Sequence, residues 1–268
     1  MALSLVTFNV LADSYIRPQW YPNTADRWLE PSVRHPALLS QLVSLDADFF
    51  ALQEVELHVF ELLQEGLTPL GYAGSYEPKG RAKPDGCARF VRQSAAVLID
   101  EERLDYSDAD LDEPVSGHLA LITILEVSGR RLGVANTHLK WAPPGTPHSD
   151  HLGARQIDEL SALCAAHSCA SWVICGDLNC TADSSILDGV RAAGLVDAHS
   201  GLASPTCNAN GNLRKLDHVF ITGDMLADTA PIEPIDESTA LPSSCHASDH
   251  LPVQVTLRWR YVYSGDGL

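Results

Sequence analysis

Short apolar runs separated by polar turns set the strongest limit on how this chain can fold. Runs with the length and β-branched content of buried strands lie at residues 3–10, 49–52, 95–99, 119–127, 132–137, 172–175, 216–221 and 253–259. Helical spacing of apolar residues occurs at 38–45, around Phe60 and Leu63, and at 154–167. Strands therefore outnumber helices without alternating strictly with them. This favours a layered α/β sandwich containing paired sheets over a Rossmann sheet or a barrel.

One domain is predicted for the whole chain, residues 1–268. The hydrophobic fraction of 45% and the charged fraction of 20% are ordinary for a globular protein. No internal repeat or low-complexity linker divides the sequence, and no Gly-rich dinucleotide fingerprint or P-loop follows a strand. Residues 71–88 contain four Gly and two Pro. We expect them to form a loop that carries Lys79, Arg81 and Lys83.

Cysteine usage and the first residues predict a cytoplasmic protein. The chain has seven cysteines, an odd number, and no zinc-type spacing relates them. Residues 1–4 run directly into the first strand without the basic segment of a secretory signal. The uncharged stretch 160–176 contains His167 and two serines, and we interpret it as a helix end followed by a buried strand. Free thiols in a reducing compartment, and no membrane span, are the expectation.

The formal net charge of −17 limits the partners of this protein. A protein that binds extended duplex nucleic acid neutralises phosphates along a basic track, and this chain has no surplus of cations for that purpose. We expect a monomer that binds a short RNA or a nucleotide. A bound metal ion can supply the local positive charge that such a substrate requires.

Polar side chains follow the ends of several predicted strands. The segments are Phe8-Asn9, Gln53-Glu54, Thr137-His138, Asp177-Leu178-Asn179, Asp217-His218 and Asp249-His250. Each alone has an ordinary explanation, such as a surface carboxylate, a satisfied core histidine or a turn. Strand ends are where sheet-based enzymes gather ligand groups, so their conjunction predicts one active site.

These residue types suit metal-assisted phosphoester hydrolysis. Carboxylate oxygens are hard ligands for Mg²⁺, with Mn²⁺ as the alternative. An aspartate can orient or deprotonate a water molecule, and a histidine held by a second aspartate can stay cationic beside a phosphate. Asparagine amides donate to phosphate oxygens without cancelling the charge of the metal.

The order of these segments resembles the endonuclease/exonuclease/phosphatase superfamily, which has the DNase I-like fold. The similarity is closer to its branch of deadenylases, nocturnin, angel proteins and 2′-phosphodiesterases. The motifs are Thr7-Phe8-Asn9-Val10-Leu11-Ala12-Asp13, Leu52-Gln53-Glu54-Val55, Asp85-Gly86-Cys87-Ala88-Arg89-Phe90, Asn136-Thr137-His138-Leu139-Lys140-Trp141, Arg155-Gln156 and Ser248-Asp249-His250-Leu251-Pro252. The resemblance implies a four-layer α/β sandwich with two central, mostly antiparallel sheets flanked by helices.

The same resemblance implies a role for each motif residue. Glu54 would be the principal metal ligand, with Asn9 and Asp249 nearby. Asp177 would activate or orient the attacking water, and Asn179 would hold the phosphate. Asp217 would support His250, which faces the scissile phosphate beside His138. Separately from the resemblance, the cations Lys79, Lys83, Lys140 and Arg155 are candidates for contacting the substrate, with a solvated surface charge as the alternative for each.

The substrate is less constrained than the chemistry. Relatives that remove adenosine carry a base-stacking aromatic residue in the stretch that corresponds to residues 206–216, and this chain has none there. The leading hypothesis is a 3′–5′ exoribonuclease-like phosphodiesterase acting on an RNA 3′ end or a short oligonucleotide. The alternative is a phosphatase or phosphodiesterase for a terminal, 2′,3′-cyclic or small-nucleotide phosphate. A non-catalytic RNA-binding module is a remote third reading, disfavoured because Glu54 and Asp177 are both present.

Overall fold

Two six-stranded sheets lie at the centre of the molecule. The computed structural model describes residues 2–108, 115–143, 145–201, 204–209 and 211–260. The first sheet contains, in spatial order, β13 (Met225–Thr229), β14 (Val253–Trp259), β1 (Leu3–Asn9), β2 (Phe49–Glu56), β4 (Asp85–Arg92) and β3 (Tyr72–Pro78). The second contains β5 (Val97–Asp105), β6 (Leu119–Val127), β7 (Arg130–His138), β8 (Ser171–Asp177), β12 (Asp217–Thr222) and β9 (Leu195–Asp197).

Helices and a small hairpin surround the two sheets in the described chain. The hairpin consists of β10 (Cys207–Ala209) and β11 (Asn212–Arg214). The helices are α1 (Pro31–Leu45), α2 (Leu57–Leu67), α3 (Leu152–Ala166) and the short α4 (Asp188–Ala192). Single 3₁₀ turns lie at Asp13–Tyr15, Pro18–Trp20, Asp26–Trp28, Thr68–Leu70, His148–Asp150 and Ser185–Leu187.

Each sheet is built around one parallel pair of strands. β1 runs parallel to β2 in the first sheet, and β7 runs parallel to β8 in the second, whereas the other neighbouring strands are antiparallel. The prediction of two mostly antiparallel sheets is confirmed. Parallel strands end at the same edge, so each pair delivers its last residues side by side.

Three apolar layers hold the sandwich together, because side chains alternate between the two faces of every strand. Leu5, Val134 and Val173 belong to the layer between the two sheets. On the outer face of the first sheet, strand residues such as Phe50 pack with residues of α1 and α2. Residues of α3, including Ile157, pack on the outer face of the second sheet. The predicted order of helices, sheet, sheet and helices is confirmed.

Polar side chains cross the layer between the sheets near one end. Asn136 of β7 donates hydrogen bonds to the carbonyl oxygens of Leu52 and Ala88 in the first sheet, at 3.0 and 2.9 Å. Gln53 of β2 donates to Asn136 Oδ1 at 2.7 Å and to Thr7 Oγ1 at 3.0 Å. Buried polar groups without partners are costly, so these bonds fix the relative position of the two sheets.

The loop predicted over residues 71–88 is wrong for most of this stretch and holds for residues 79–84, which carry Lys79, Arg81 and Lys83. β3 and the start of β4 occupy most of this stretch, and they pair antiparallel from Tyr72 to Pro78. A Cβ on Gly74 would lie 2.6 Å from the ring of Phe90, and one on Gly86 would lie 2.1 Å from the carbonyl oxygen of Glu77. These glycines therefore permit close packing within strands instead of marking turns.

The cysteines and the helices give two further observations. All seven cysteines are free thiols, and six of them are buried. In the described part of the chain, the helices lack the length and apolar character that crossing a membrane requires.

We predict that Asn136→Leu lowers the free energy of unfolding by about 2–4 kcal/mol, because two buried carbonyl oxygens and the Gln53 amide lose their partner. Urea unfolding monitored by circular dichroism measures this change. The matched control is Thr123→Val on neighbouring β6, where the buried hydroxyl has no hydrogen-bond partner in the described structure. That control is expected to be neutral or stabilising, and equal losses in both variants would contradict the role given to Asn136.

Candidate active site

The side chains at the ends of four strands point into the gap between the two sheets. Asn9, His138, Asp177 and Asp217 continue the alternation of the apolar residues that form the layer between the sheets. Strand register aligns His138 with Asp177, and Asp177 with Asp217, across three neighbouring strands. The buried layer thus changes from apolar to polar at this edge, and the polar end is the candidate site.

Glu54 reaches this site through a bulge in β2. The pairing of β2 with β4 is interrupted between Leu52 and Val55, and Glu54 has a positive φ of 56°. Its Oε1 accepts a hydrogen bond from Asn9 Nδ2 at 3.1 Å, and its Oε2 accepts one from the backbone amide of Ala12 at 3.0 Å. A bulge can re-aim a side chain beside an active site, and here both carboxylate oxygens are held.

Asp177 depends on a glycine in the preceding position. Gly176 has a φ of 145°, and a Cβ there would lie 1.7 Å from the carbonyl oxygen of Thr137. Asp177 Oδ1 then accepts from the backbone amide of Asn179, and Oδ2 accepts from Asn9 Nδ2, each at 2.9 Å. Asn9 therefore bridges Glu54 and Asp177 with its amide nitrogen, while its Oδ1 accepts from Leu11 N at 3.0 Å.

Asp217 and His250 form a buried pair on the other side of Asp177. His250 Nδ1 lies 2.8 Å from Asp217 Oδ2, and Nε2 lies 3.7 Å from Asp177 Oδ2. Burial alone would lower the pKa of His250, but the charge and hydrogen bond of Asp217 raise it well above its ordinary value. Thr206 Oγ1 donates to the same Asp217 oxygen at 2.6 Å. The imidazole is consequently held as a cation that faces Asp177.

His138 is held in the opposite protonation state. Its Nδ1 lies 3.2 Å from Lys79 Nζ, and its Nε2 lies 2.9 Å from Asn179 Nδ2. Burial, followed by the charge of Lys79, lowers the pKa of His138 well below its ordinary value. The neutral ring can accept from one of these two donors and the imidazolium from neither, so the imidazolium form is disfavoured. Lys79 is itself fixed by Asp85, whose Oδ2 lies 2.6 Å from Nζ.

Carboxylates crowd the centre of the site. Burial raises the pKa of Glu54 to about 7, with a further rise from Asp249 and an opposing effect of Lys79. Burial also raises the pKa of Asp177, and Asp217 adds to that rise. Asp249 Oδ2 accepts from the Tyr21 hydroxyl at 3.2 Å. Buried carboxylates this close together repel one another when they are ionised. A divalent cation bound between them would relieve this repulsion.

A buried arginine joins the two chain segments that carry these carboxylates. Arg34 of α1 donates to the carbonyl oxygens of Val10 and Ala247, at 2.7 and 3.1 Å, and pairs with Asp13. The first carbonyl follows Asn9 and the second precedes Ser248-Asp249-His250. Arg34 was not singled out in the sequence, because a lone arginine on a helix gives no sign of contacts this distant.

The catalytic cavity, of about 260 Å³, is lined by Glu54, His138, Trp141, Asp177, Asn179, Cys207, Ala209, Asn212, Arg214, Leu216 and His250. The predicted substrate-binding residues Lys83, Lys140 and Arg155 do not line it. Arg155 instead donates to the carbonyl oxygen of Ser149 at 2.9 Å. Trp141 and Arg214 line the cavity although the sequence gave them no role. Trp141 directly follows the His138 motif, which could have drawn attention to it.

The hairpin of β10 and β11 forms one wall of this cavity. Cys207 forms a β-bridge with His250 and pairs with Arg214 across the hairpin. The backbone amide of Asn208 donates to the carbonyl oxygen of Asp249 at 3.0 Å. The described residues of this wall include no aromatic ring, as the sequence of the stretch 206–216 requires.

Comparisons with known proteins relate the chain to RNA-processing enzymes. It is 28% identical over 248 residues to the "CCR4-Not complex 3′-5′-exoribonuclease subunit Ccr4" of Yarrowia lipolytica, a match that covers 75% of this chain and 35% of the relative. It is 26% identical over 323 residues to human "2′,5′-phosphodiesterase 12", covering 95% of this chain and 51% of the relative. The chain thus spans about a third to a half of the length of these two relatives.

The fold matches solved structures over nearly its whole length. ANGEL2, described as a 2′,3′-cyclic phosphatase and solved in complex with adenosine-2′,3′-vanadate, aligns with a TM-score of 0.83 at 20% identity, covering 97% of this chain and 96% of that one. At this identity the match establishes the DNase I-like fold alone. The family model for the endonuclease/exonuclease/phosphatase family matches residues 6–250. The chain is therefore a member of the endonuclease/exonuclease/phosphatase family.

Proposed function

We propose that this protein is a divalent-metal-dependent phosphodiesterase that hydrolyses phosphodiester bonds at an RNA 3′ end or in short oligonucleotides. The observation that carries the proposal is the convergence of Glu54, Asp177 and the Asp217–His250 pair on one small cavity. This arrangement combines a site for a cation, a carboxylate that can accept a proton and a cationic donor. Phosphoester hydrolysis requires these three elements.

In the proposed reaction, water attacks the phosphorus atom and the bond to the leaving ribose oxygen breaks. Asp177 orients this water and accepts its proton, since both carboxylate oxygens are held by Asn9 and the Asn179 amide. His250 donates a hydrogen bond to a non-bridging phosphate oxygen, and Asp217 keeps it cationic and oriented. Neutral His138 and Asn179 line the same cavity and contact the phosphate oxygens.

The proposed metal ion is Mg²⁺, with Mn²⁺ as the alternative, held by Glu54 and Asp249 and supported by Asn9. The raised pKa of Glu54 and the proximity of Asp249 support this assignment, because a cation would relieve their mutual repulsion. When bound, the ion would supply positive charge that stabilises the phosphate as negative charge develops. Asn9 turns its amide nitrogen to both carboxylates, so its contribution includes orienting them.

An oligonucleotide substrate is supported by the relatives named for 3′–5′ exoribonuclease and 2′,5′-phosphodiesterase activities. A terminal, 2′,3′-cyclic or small-nucleotide phosphate is the second candidate. The observations in its favour are the lack of an aromatic ring in the β10–β11 wall and the net charge of −17. The structural neighbour ANGEL2, described as a 2′,3′-cyclic phosphatase, points the same way.

We further propose that the protein acts in the cytoplasm, as a monomer on a short RNA or nucleotide. The free thiols support a reducing compartment. Burial raises the pKa of all six buried cysteines, so they are held as neutral thiols. The acidic surface supports a short substrate over an extended duplex.

Metal dependence is the first test of the proposal. Chelation by EDTA is expected to abolish hydrolysis of oligoadenylate, and Mg²⁺ or Mn²⁺ is expected to restore it. Mg²⁺ should also raise the melting temperature of the wild-type protein, since it binds the folded state. Glu54→Gln is expected to lose this stabilisation, and Asp177→Asn to lower kcat by about 10²- to 10⁴-fold. Asp228→Asn, which removes an exposed carboxylate paired with Arg258, is the control and should retain full activity.

The pairing of Asp217 with His250 is tested by a double-mutant cycle. Asp217→Asn and His250→Gln are each expected to lower kcat by about 10²-fold with a smaller effect on KM. The double variant should be no slower than the slower single variant, because the two residues act as a unit. Losses that multiply, in variants with wild-type melting temperatures, would mean that the residues act independently.

The two substrate candidates are separated by a panel of four compounds. These are a 3′–5′ oligoadenylate, a 2′–5′ oligoadenylate, an RNA with a 2′,3′-cyclic phosphate end and a dinucleotide cofactor. We expect the highest kcat/KM on an oligonucleotide, measured by chromatography of the products. Turnover of free small nucleotides alone would refute the RNA hypothesis and leave the phosphatase alternative.

A further inference from the structure

Arg214 is the one Lys or Arg among the described residues that line the catalytic cavity. Within the described residues its side chain makes no hydrogen bond or ion pair, although its backbone carbonyl accepts from Thr206 N at 2.8 Å. Neighbouring cations are engaged: Lys79 pairs with Asp85, and Arg191 pairs with Asp188. A half-buried, unpaired guanidinium in a chain of net charge −17 is unusual, since carboxylates are abundant.

The position of Arg214 is fixed relative to the catalytic histidine. Arg214 is the last residue of β11 and pairs in register with Cys207, which forms a β-bridge with His250. A further hydrogen bond of 2.6 Å runs from the backbone amide of Leu251 to the carbonyl oxygen of Thr206. The hairpin is therefore anchored to the segment that carries the catalytic residues, and Arg214 cannot move far from them.

Arg214 lines two further cavities, a large one that includes Asp183 and Asp197 and a smaller one that adjoins the catalytic cavity. This side cavity, of about 380 Å³, shares Trp141, Asn179, Arg214 and Leu216 with the catalytic cavity. The two spaces thus adjoin along a common wall. A substrate with its scissile phosphoester beside Asp177 can extend past these shared residues into the side cavity.

The lining of the side cavity suits an anion. In the described chain no Asp or Glu lines it, whereas Glu54 and Asp177 line the catalytic cavity. Thr146, Thr181 and Ser184 line it with Arg214, and the hydroxyls of the first two donate to the carbonyl oxygen of Pro143 and to Asp183 Oδ1. The Ser184 hydroxyl and the Arg214 guanidinium remain as donors that match the oxygens of a phosphate group.

We infer that Arg214 binds a second phosphate group of the substrate, which occupies the side cavity while the scissile phosphoester lies in the catalytic cavity. The inference rests on the proposed function, and it narrows the substrate class to nucleotides and oligonucleotides with at least two phosphates. It also explains how a strongly acidic protein holds an anionic substrate, because one local cation replaces a basic track.

The kinetic test pairs a protein change with a substrate change. The substrates are a short oligoadenylate and the same oligomer with the phosphate next to the scissile linkage replaced by a neutral methylphosphonate. For the wild type, kcat/KM should fall about 10- to 100-fold on the methylphosphonate, as for loss of a charge-assisted hydrogen bond. Arg214→Ala should show a similar fall on the normal oligomer and no further fall on the methylphosphonate.

Matched variants separate this effect from a general change in charge. Arg258→Ala removes an exposed arginine on β14 and should retain the wild-type response to both substrates. Arg214→Lys keeps the charge without the planar fork and should recover part of the loss. If the effects of Arg214→Ala and of the methylphosphonate multiply, Arg214 does not contact that phosphate and the inference is overturned.

A binding measurement keeps the inference testable without turnover. Adenosine 3′,5′-bisphosphate and AMP are titrated by calorimetry, in the presence of Mg²⁺, into protein carrying Asp177→Asn. The bisphosphate should bind about ten-fold or more tightly, and Arg214→Ala should remove the difference. Equal affinities for the bisphosphate and for AMP, in the Asp177→Asn protein that retains Arg214, would overturn the inference. Absence of hydrolysis of any phosphoester by the wild type would overturn the proposed function instead and leave the binding result standing.

Discussion

The buried layer between the two sheets is the constraint on which the rest of the structure depends. Strand alternation fills this layer with apolar side chains, and the same alternation delivers Asn9, His138, Asp177 and Asp217 to its open edge. Asn136 and Gln53 lie between the apolar and the catalytic parts and bond the sheets together. The positions of these four side chains are therefore set by sheet packing, which is rigid, whereas Asn179, Asp249 and His250 lie in turns beside the strands.

The site concentrates negative charge in a place where solvent cannot screen it. Glu54, Asp177, Asp217 and Asp249 lie close together, and burial raises the pKa of the first two. Such a cluster costs stability in the absence of a cation, and the positive φ of Glu54 adds to the strain. Hydrogen bonds from Asn9, Ala12 and Tyr21 offset part of this cost. The fold thus holds several carboxylates together in an arrangement that could bind a metal ion.

Sequence reasoning succeeded where a local pattern was sufficient and failed where distant contacts decided the outcome. Strand-end motifs identified the residues that the structure brings together, because a strand end and its following turn are read directly from the chain. Glycines at 74 and 86 were interpreted as turn signals, yet they permit close packing against Phe90 and Glu77. The cations Lys83, Lys140 and Arg155 were chosen for charge alone, and the cavity is lined by Arg214 instead.

By itself the sequence predicted most of the strands and the polar side chains that the structure gathers at the candidate site. Only the tertiary structure decided that burial and Lys79 lower the pKa of His138. It also brought Arg214 to the candidate cavity, through a hairpin bridged to His250 far away in sequence. The type of a side chain determines which protonation states it can adopt. Burial and the charges of distant segments determine which of these states it adopts in the folded protein.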